Sequence, residues 1–266
     1  MNIRFRLWTL TRFVIGFALG GTAESVSGQT DFYHLDKDRP LRVEDAFSAK
    51  HRVFEIQISP LHLSQSADGE VQSGPSVEFK YGLLPGVETS IGLALAGNPT
   101  SIPSFGEVEG SALVNLWVEG EHLPAAALRG SGHVDHHEGT SFLELRGILT
   151  RSLRGPVRAH LNAGWRFGAG EEVGPTWAAM AFDYVLPFRH ILLLGEGGWE
   201  AAGREVEGAV SVLHTGVGAR IQLTPTWVLD AGTGRVWRGT DRKEGRLTLG
   251  LTREFGLRNR SSGSPQ

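Results

Sequence analysis

The sequence predicts an all-β protein, an antiparallel transmembrane β-barrel of about twelve strands. Three observations carry this. Between Arg52 and Phe255 the chain repeats a unit of roughly ten residues, apolar alternating with polar or small, followed by a turn bearing Gly or Pro. A period of two places the two sets on opposite faces of a strand. The polar set carries charges of both signs in strand after strand: Glu55, Glu78 and Lys80, Glu88, Arg129, Glu144 and Arg146, Arg158, His160 and Arg166, Asp183, Glu196, Arg220 and Asp230. Burying so many charges in a dry core costs several kcal/mol per ion even after pairing. The polar face therefore lines a wet lumen, and the apolar face meets lipid. Third, Tyr81, Trp165, Phe167, Tyr184, Trp199, Trp227 and Phe255 fall near predicted strand ends, where amphipathic rings settle at a bilayer interface.

The elements follow in order. Residues 1–28 read as a secretory signal peptide: three arginines and no acid up to Arg12, a short apolar run over 13–19, then small residues with a cleavage site before Gln29. The apolar run is less than half of the ~20 residues a spanning helix needs. Residues 29–51 are polar and lack sustained periodicity, which predicts a periplasmic segment leading into the barrel. Strands are expected over 52–64, 75–83, 87–96, 110–118, 124–133, 140–151, 156–167, 175–186, 190–200, 207–223, 226–237 and 244–255, and a polar tail over 256–266. Their number is even, as bacterial barrels require when both termini are periplasmic. Connections alternate short (84–86, 119–123, 153–155, 187–189, 224–225) and long (65–74, 97–109, 134–139, 168–174, 201–206, 238–243), as tight periplasmic turns and longer extracellular loops do.

The alternation has faults. Leu192 and Leu194 share a face with Glu196, Leu113 and Trp117 flank Asn115, and Ile148 follows Arg146. Either parts of the lumen are apolar or the register slips by one there. Gly216, Gly218, Gly232, Gly234 and Gly250 fall on the lumen face of three consecutive strands, which bends the wall, leaves a groove, or lets a loop or the N-terminal segment pack close.

Composition narrows the function. With no cysteine there is no disulfide and no thiolate chemistry. A net charge of −3 gives no basic surface for nucleic acid. A mean hydropathy of −0.13 is too polar for a helical membrane protein. The run His133-Val134-Asp135-His136-His137-Glu138 has metal-binding residue types, but its place at an extracellular loop reads as a solvated tip, so no metal is expected. His160, Asn162 and Ser211, with His214, supply types for a hydrolase, yet no motif brings them together and the His-Ser signature of barrel phospholipases is absent.

The chain resembles the outer-membrane β-barrel family labelled "MetA-pathway of phenol degradation", also described as an outer-membrane transporter family. The segments that carry the resemblance are 40–47 (PLRVEDAF), 77–88 (VEFKYGLLPGVE), 161–167 (LNAGWRF), 216–225 (GVGARIQLTP) and 247–255 (LTLGLTREF). It implies a barrel that passes small, often hydrophobic or aromatic, compounds across the outer membrane. The chain departs from the usual ending on a strand aromatic, since a polar tail follows Phe255. The sequence thus leads to a passive channel or transporter-like pore in the outer membrane of a Gram-negative-type bacterium. Its expected partners are outer-membrane lipid, a small-molecule solute and the barrel-assembly machinery; no cofactor, no enzymatic activity and no nucleic acid are expected. A structural or adhesion barrel with a plugged, salt-bridged lumen is the alternative, and a surface hydrolase a third reading.

Overall fold

The computed structural model describes residues 33–65, 71–97, 104–136, 139–168, 176–186, 190–201, 211–238 and 242–256; the expected signal peptide, the tail beyond Gly256 and most long-loop tips lie outside them. Thirteen strands follow one another: β1 (Val53–Gln65), β2 (Val71–Ser73), β3 (Ser76–Leu84), β4 (Val87–Ala96), β5 (Ser104–Trp117), β6 (Ala125–Asp135), β7 (Thr140–Ser152), β8 (Val157–Gly168), β9 (Trp177–Val185), β10 (Ile191–Glu200), β11 (Val212–Thr224), β12 (Trp227–Arg238) and β13 (Arg242–Gly256). Each long strand pairs with its sequence neighbour, and β13 pairs back onto β1 from Val53↔Gly256 to Gln65↔Gly245. The twelve long strands therefore close a barrel, which leaves no edge unpaired in lipid. β2 is a short flap on the far end of β1.

Short turns collect at one end. Gly86 and Gly155 hold φ of +76° and +72° there, a conformation that costs an L side chain strain. At the other end β5 begins at Ser104, inside the expected 97–109 loop, and β6 runs through His133, the expected end of that strand, on to Asp135, so Asp135 is a strand residue rather than a loop-tip residue.

The outer face is apolar. Leu143, Leu145, Leu149, Leu161, Met180, Phe182, Leu193, Val217, Leu247 and Leu249 all point outward and are exposed, a surface that only lipid can cover without cost. The inner face holds the charges, and the buried core lies inside the barrel, against the N-terminal segment. Residues 33–50, the described part of the segment expected to be periplasmic, run within the lumen, with Leu35, Leu41, Val43, Glu44, Asp45, Ala46 and Ala49 all buried. The reason is visible on the wall. Leu35 and Leu41 pack on Leu192, Leu194 and Val228; Ala46 and Phe47 pack on Leu113, Ala125, Ala127 and Ile148; Val43 packs on Trp177, Ala179 and Ala181.

Four of the apparent register faults are thus the seat of this segment: Leu113, Ile148, Leu192 and Leu194 face inward in correct register. The fifth, Trp117, is a true slip. A bulge between Asn115 and Trp117 turns its ring outward, where Nε1 donates to the Pro124 carbonyl.

Candidate functional site

The lumen segment is a loop whose two arms return to the same end of the barrel. At its foot Arg52 N–H donates to Gly82 O at 2.8 Å, near the short turn after β3. The arm 42–49 then climbs across the lumen. The descending arm places Tyr33 and Leu35 beside Val185, Leu192 and Val228, again next to short turns. The arms hold each other: Asp45 N–H donates to Leu35 O at 3.1 Å, and Leu35 N–H to Asp45 Oδ2 at 3.0 Å. The apex points toward the long-loop end, where Lys37 Nζ meets Glu109 Oε1 at 2.5 Å.

A buried backbone must find partners for its N–H and C=O groups. Here the wall supplies them from side chains. Ala49 N–H donates to Glu88 (2.8 Å), Ser48 to Asn115 (3.3 Å), Ala46 to Thr150 (2.9 Å), Glu44 to Asn162 (3.0 Å), and Val43 and Arg42 both to Glu196 Oε2 (3.1 and 2.8 Å). Asn162 and Asn115 each return a bond from Nδ2, to the carbonyls of Glu44 and Ala46. On the opposite side the glycines admit the chain. A Cβ on Gly218 would stand 2.8 Å from Pro40 Cγ, on Gly232 2.5 Å from Pro40 O, and on Gly216 2.9 Å from Leu41 Cδ2. A Cβ on Gly234 would instead meet Thr215 O of the wall itself.

Charges complete the plug. Glu44, buried, accepts from Arg129 Nε (2.9 Å) and Arg146 Nη1 (3.1 Å). Arg129 also reaches Glu88 at 3.0 Å, and Arg146 reaches Glu144 at 2.8 Å. Asp36 bridges Lys80 (2.7 Å) and Arg220 (2.6 Å), and Arg220 continues to Asp230 at 3.0 Å. Burial works to raise the Asp36 carboxyl, but Lys80 and Arg220 outweigh it and hold it well below the ordinary carboxylate range. Arg158 pairs with Asp183 at 2.5 Å and reaches Asp45 at 3.7 Å.

All fourteen lumen residues singled out from the sequence are on inward positions of the strands, and most touch one another or the plug. Glu55 accepts from Gln57, Glu78 stands 4.0 Å from Lys80, and Arg166 pairs with Glu144 at 2.9 Å. Sequence reasoning missed the other half of the network, Asp36, Glu44 and Asp45 on the plug and Thr150 and Trp177 on the wall, and weighed Asn162 only as a hydrolase candidate. Trp177 is fully buried, with Arg42 and Arg146 over its ring at 4.8 and 4.6 Å. The signal available was the set of inward apolar residues, which have no place in a water-filled lumen.

His160 joins Thr150 (Nδ1, 3.1 Å) to Asp183 (Nε2, 3.1 Å), the residue types of nucleophile, base and orienting acid. All three are buried, the Thr150 hydroxyl accepts from Ala46, and Asp183 is held by Arg158. The chain of contacts fastens the plug and leaves no space for a substrate at the hydroxyl. His214, also considered for catalysis, is buried without a hydrogen-bond partner among the described residues.

Above the plug apex a cavity of about 400 Å³ remains, lined by charges of both signs, among them Lys37, Arg42, Glu78, Glu109, Arg166 and Arg246. It is a cup, closed below by residues 33–50. A broader concavity of about 1090 Å³ reaches onto the lipid-facing wall around Gly195 and Gly197, where neither glycine presents a side chain.

No family model matches the chain, and no curated protein does. Solved structures do. The KdgM porin in complex with disordered oligogalacturonate superimposes with a TM-score of 0.56 at 10% identity, covering 76% of this chain and 99% of that one. The NanC porin gives 0.56 at 7% identity over 74% and 98% of the two chains. The COG4313 outer membrane channel from Pseudomonas putida F1 gives 0.51 at 13% identity over 79% and 98%. The shared property is the barrel architecture.

Proposed function

We propose that the chain is an outer-membrane channel for small hydrophilic solutes, closed by its own N-terminal segment. The observation that carries this is the way the plug is held. Residues 33–50 enter and leave the lumen at the short-turn end, which is the periplasmic end in a bacterial barrel. Among the described residues they join the wall's backbone only at their foot, by way of Gly82. The hydrogen bonds described higher up run through wall side chains, linking Glu88, Asn115, Thr150, Asn162 and Glu196 to the plug backbone, so the segment can withdraw toward the periplasm without breaking the strand pairing of the barrel. The likeness in fold to porins and channels supports the same reading. The lumen charges and the charged cup favour hydrophilic solutes over the hydrophobic or aromatic compounds that the family resemblance implies; the mixed signs fit solutes carrying charge.

The test is conductance in planar bilayers, comparing the mature chain with a variant lacking residues 33–48. The intact chain is expected to be mostly closed, and the shortened one to conduct steadily. A shortened chain that inserts as a folded barrel yet stays silent rejects the channel and leaves the structural barrel, for which the salt-bridged lumen is the supporting observation.

A further inference from the structure

His133 was drawn from the sequence with the wrong neighbours. In the fold it lies directly across the β5–β6 pairing from Glu109. Its Nδ1 contacts Glu107 Oε1, and its Nε2 stands 3.8 Å from Glu109 Oε1. The ligand-type atoms of Glu107, Glu109 and His133 all lie within 4.8 Å of one another. The imidazole is fixed: Phe142 stacks on it at 4.3 Å with planes 10° apart, and Ser131 Oγ is 3.1 Å from Nε2. Nδ1 thus faces the Glu107 carboxylate, while Nε2 faces Ser131 and, farther off, Glu109. The contact between Nδ1 and the carboxylate is held by a positive centre, a proton on the ring nitrogen or a metal ion in its place.

A second observation shows that a cation belongs here. The plug apex places the Lys37 ammonium on Glu109 at 2.5 Å. The three side chains and Lys37 all line the cup, so the cluster faces open space rather than packed protein. We propose that Glu107, Glu109 and His133 form a site for a divalent transition-metal ion such as Zn²⁺, and that a bound ion takes Glu109 over from Lys37. Ligands of a tetrahedral zinc stand roughly 3.3 Å apart, given bonds near 2.0–2.1 Å, so an ion here requires the His133–Glu107 contact to open and Glu109 to close in, each by about an ångström or less. An imidazole with two carboxylates suits Zn²⁺ over Ca²⁺ or Mg²⁺, which favour all-oxygen shells. The cup leaves the fourth position to solvent or solute. The ion would also loosen the apex of the plug, because Lys37 and the metal compete for one carboxylate.

The experiment is calorimetric titration of the untagged mature protein in detergent with Zn²⁺, then with Ca²⁺ and Mg²⁺. One saturable Zn²⁺ site is expected, with far weaker binding of the other two ions. His133→Ala and Glu107→Gln should each weaken it at least about tenfold, while His122→Ala, at an exposed turn outside the cluster, leaves it unchanged; two variants guard against one failing to fold. Lys37→Met should tighten binding by removing the competitor. Absence of saturable binding, or binding that ignores His133→Ala and Glu107→Gln, overturns the site. Unchanged or weaker binding in Lys37→Met overturns the exchange. None of these readouts depends on conductance, so they stand or fall apart from the channel itself.

Discussion

Glu44 is where the lumen charges converge, one buried carboxylate between two buried guanidinium groups. A buried pair contributes little net stability when complete, but removing one partner strands the other charge, at about 3–5 kcal/mol. Here removal strands part of the charge on both Arg129 and Arg146, although each keeps a second acid, Glu88 and Glu144. Glu44→Ala is therefore expected to free the plug before it harms the barrel. Limited trypsin digestion of the folded protein checks this, since Lys37, Arg39, Arg42 and Lys50 all lie in the segment. Cleavage there should accelerate at least about tenfold in the variant, and equal rates would show that Glu44 does not hold the loop. Glu44 itself was not legible in the sequence. An acid in an aperiodic polar stretch looks like any solvated residue, and only the wall across from it gives it a role.

The strands were legible because two local signals agree, a period of two and Gly- or Pro-bearing turns. Observed and expected bounds of most long strands differ by a few residues at most, with β5, which starts at Ser104, the larger departure; the expected start of β11 at 207 lies outside the described residues. The plug has a single Pro, Pro40 near its apex, and no period of two around it. Its backbone bonds go to Asn115, Thr150, Asn162 and Glu196, residues far away in sequence, so nothing local marks it. What it left in the sequence is an imprint on the wall: Leu113, Ile148, Leu192 and Leu194 where charges were expected, and Gly216, Gly218 and Gly232 where Pro40 and Leu41 approach. The assignment of faces makes its own prediction. Leu145 points outward near the middle of β7, so Leu145→Arg places a cation against hydrocarbon and should cost about 2–4 kcal/mol. Urea unfolding from lipid vesicles measures it; a loss near zero would mean that this face of β7 does not meet lipid.

At the scale of the molecule, the barrel is a rigid frame and the plug is tied to it through charge, so closure depends on which charges titrate. Asp36 is the tie on the descending arm, facing Lys80 from β3, Arg220 from β11 and, farther out, Arg39 from the loop itself. Its carboxyl is held below the ordinary value of 3.8. A depressed carboxyl contributes stability that is complete above the ordinary value and is lost only as pH falls through the lower, folded one. The contribution of Asp36 to closure should therefore be constant from about pH 8 to about pH 5. Asp36→Asn removes it at every pH in that window, leaving Lys80 and Arg220 short of a partner, and should raise the open fraction of the channel. The difference between wild type and variant, read as open probability in planar bilayers, should stay flat across the window. If wild type opens on mild acidification and Asp36→Asn does not, then Asp36 titrates within that range, and the two cations do not hold its proton off as the geometry requires.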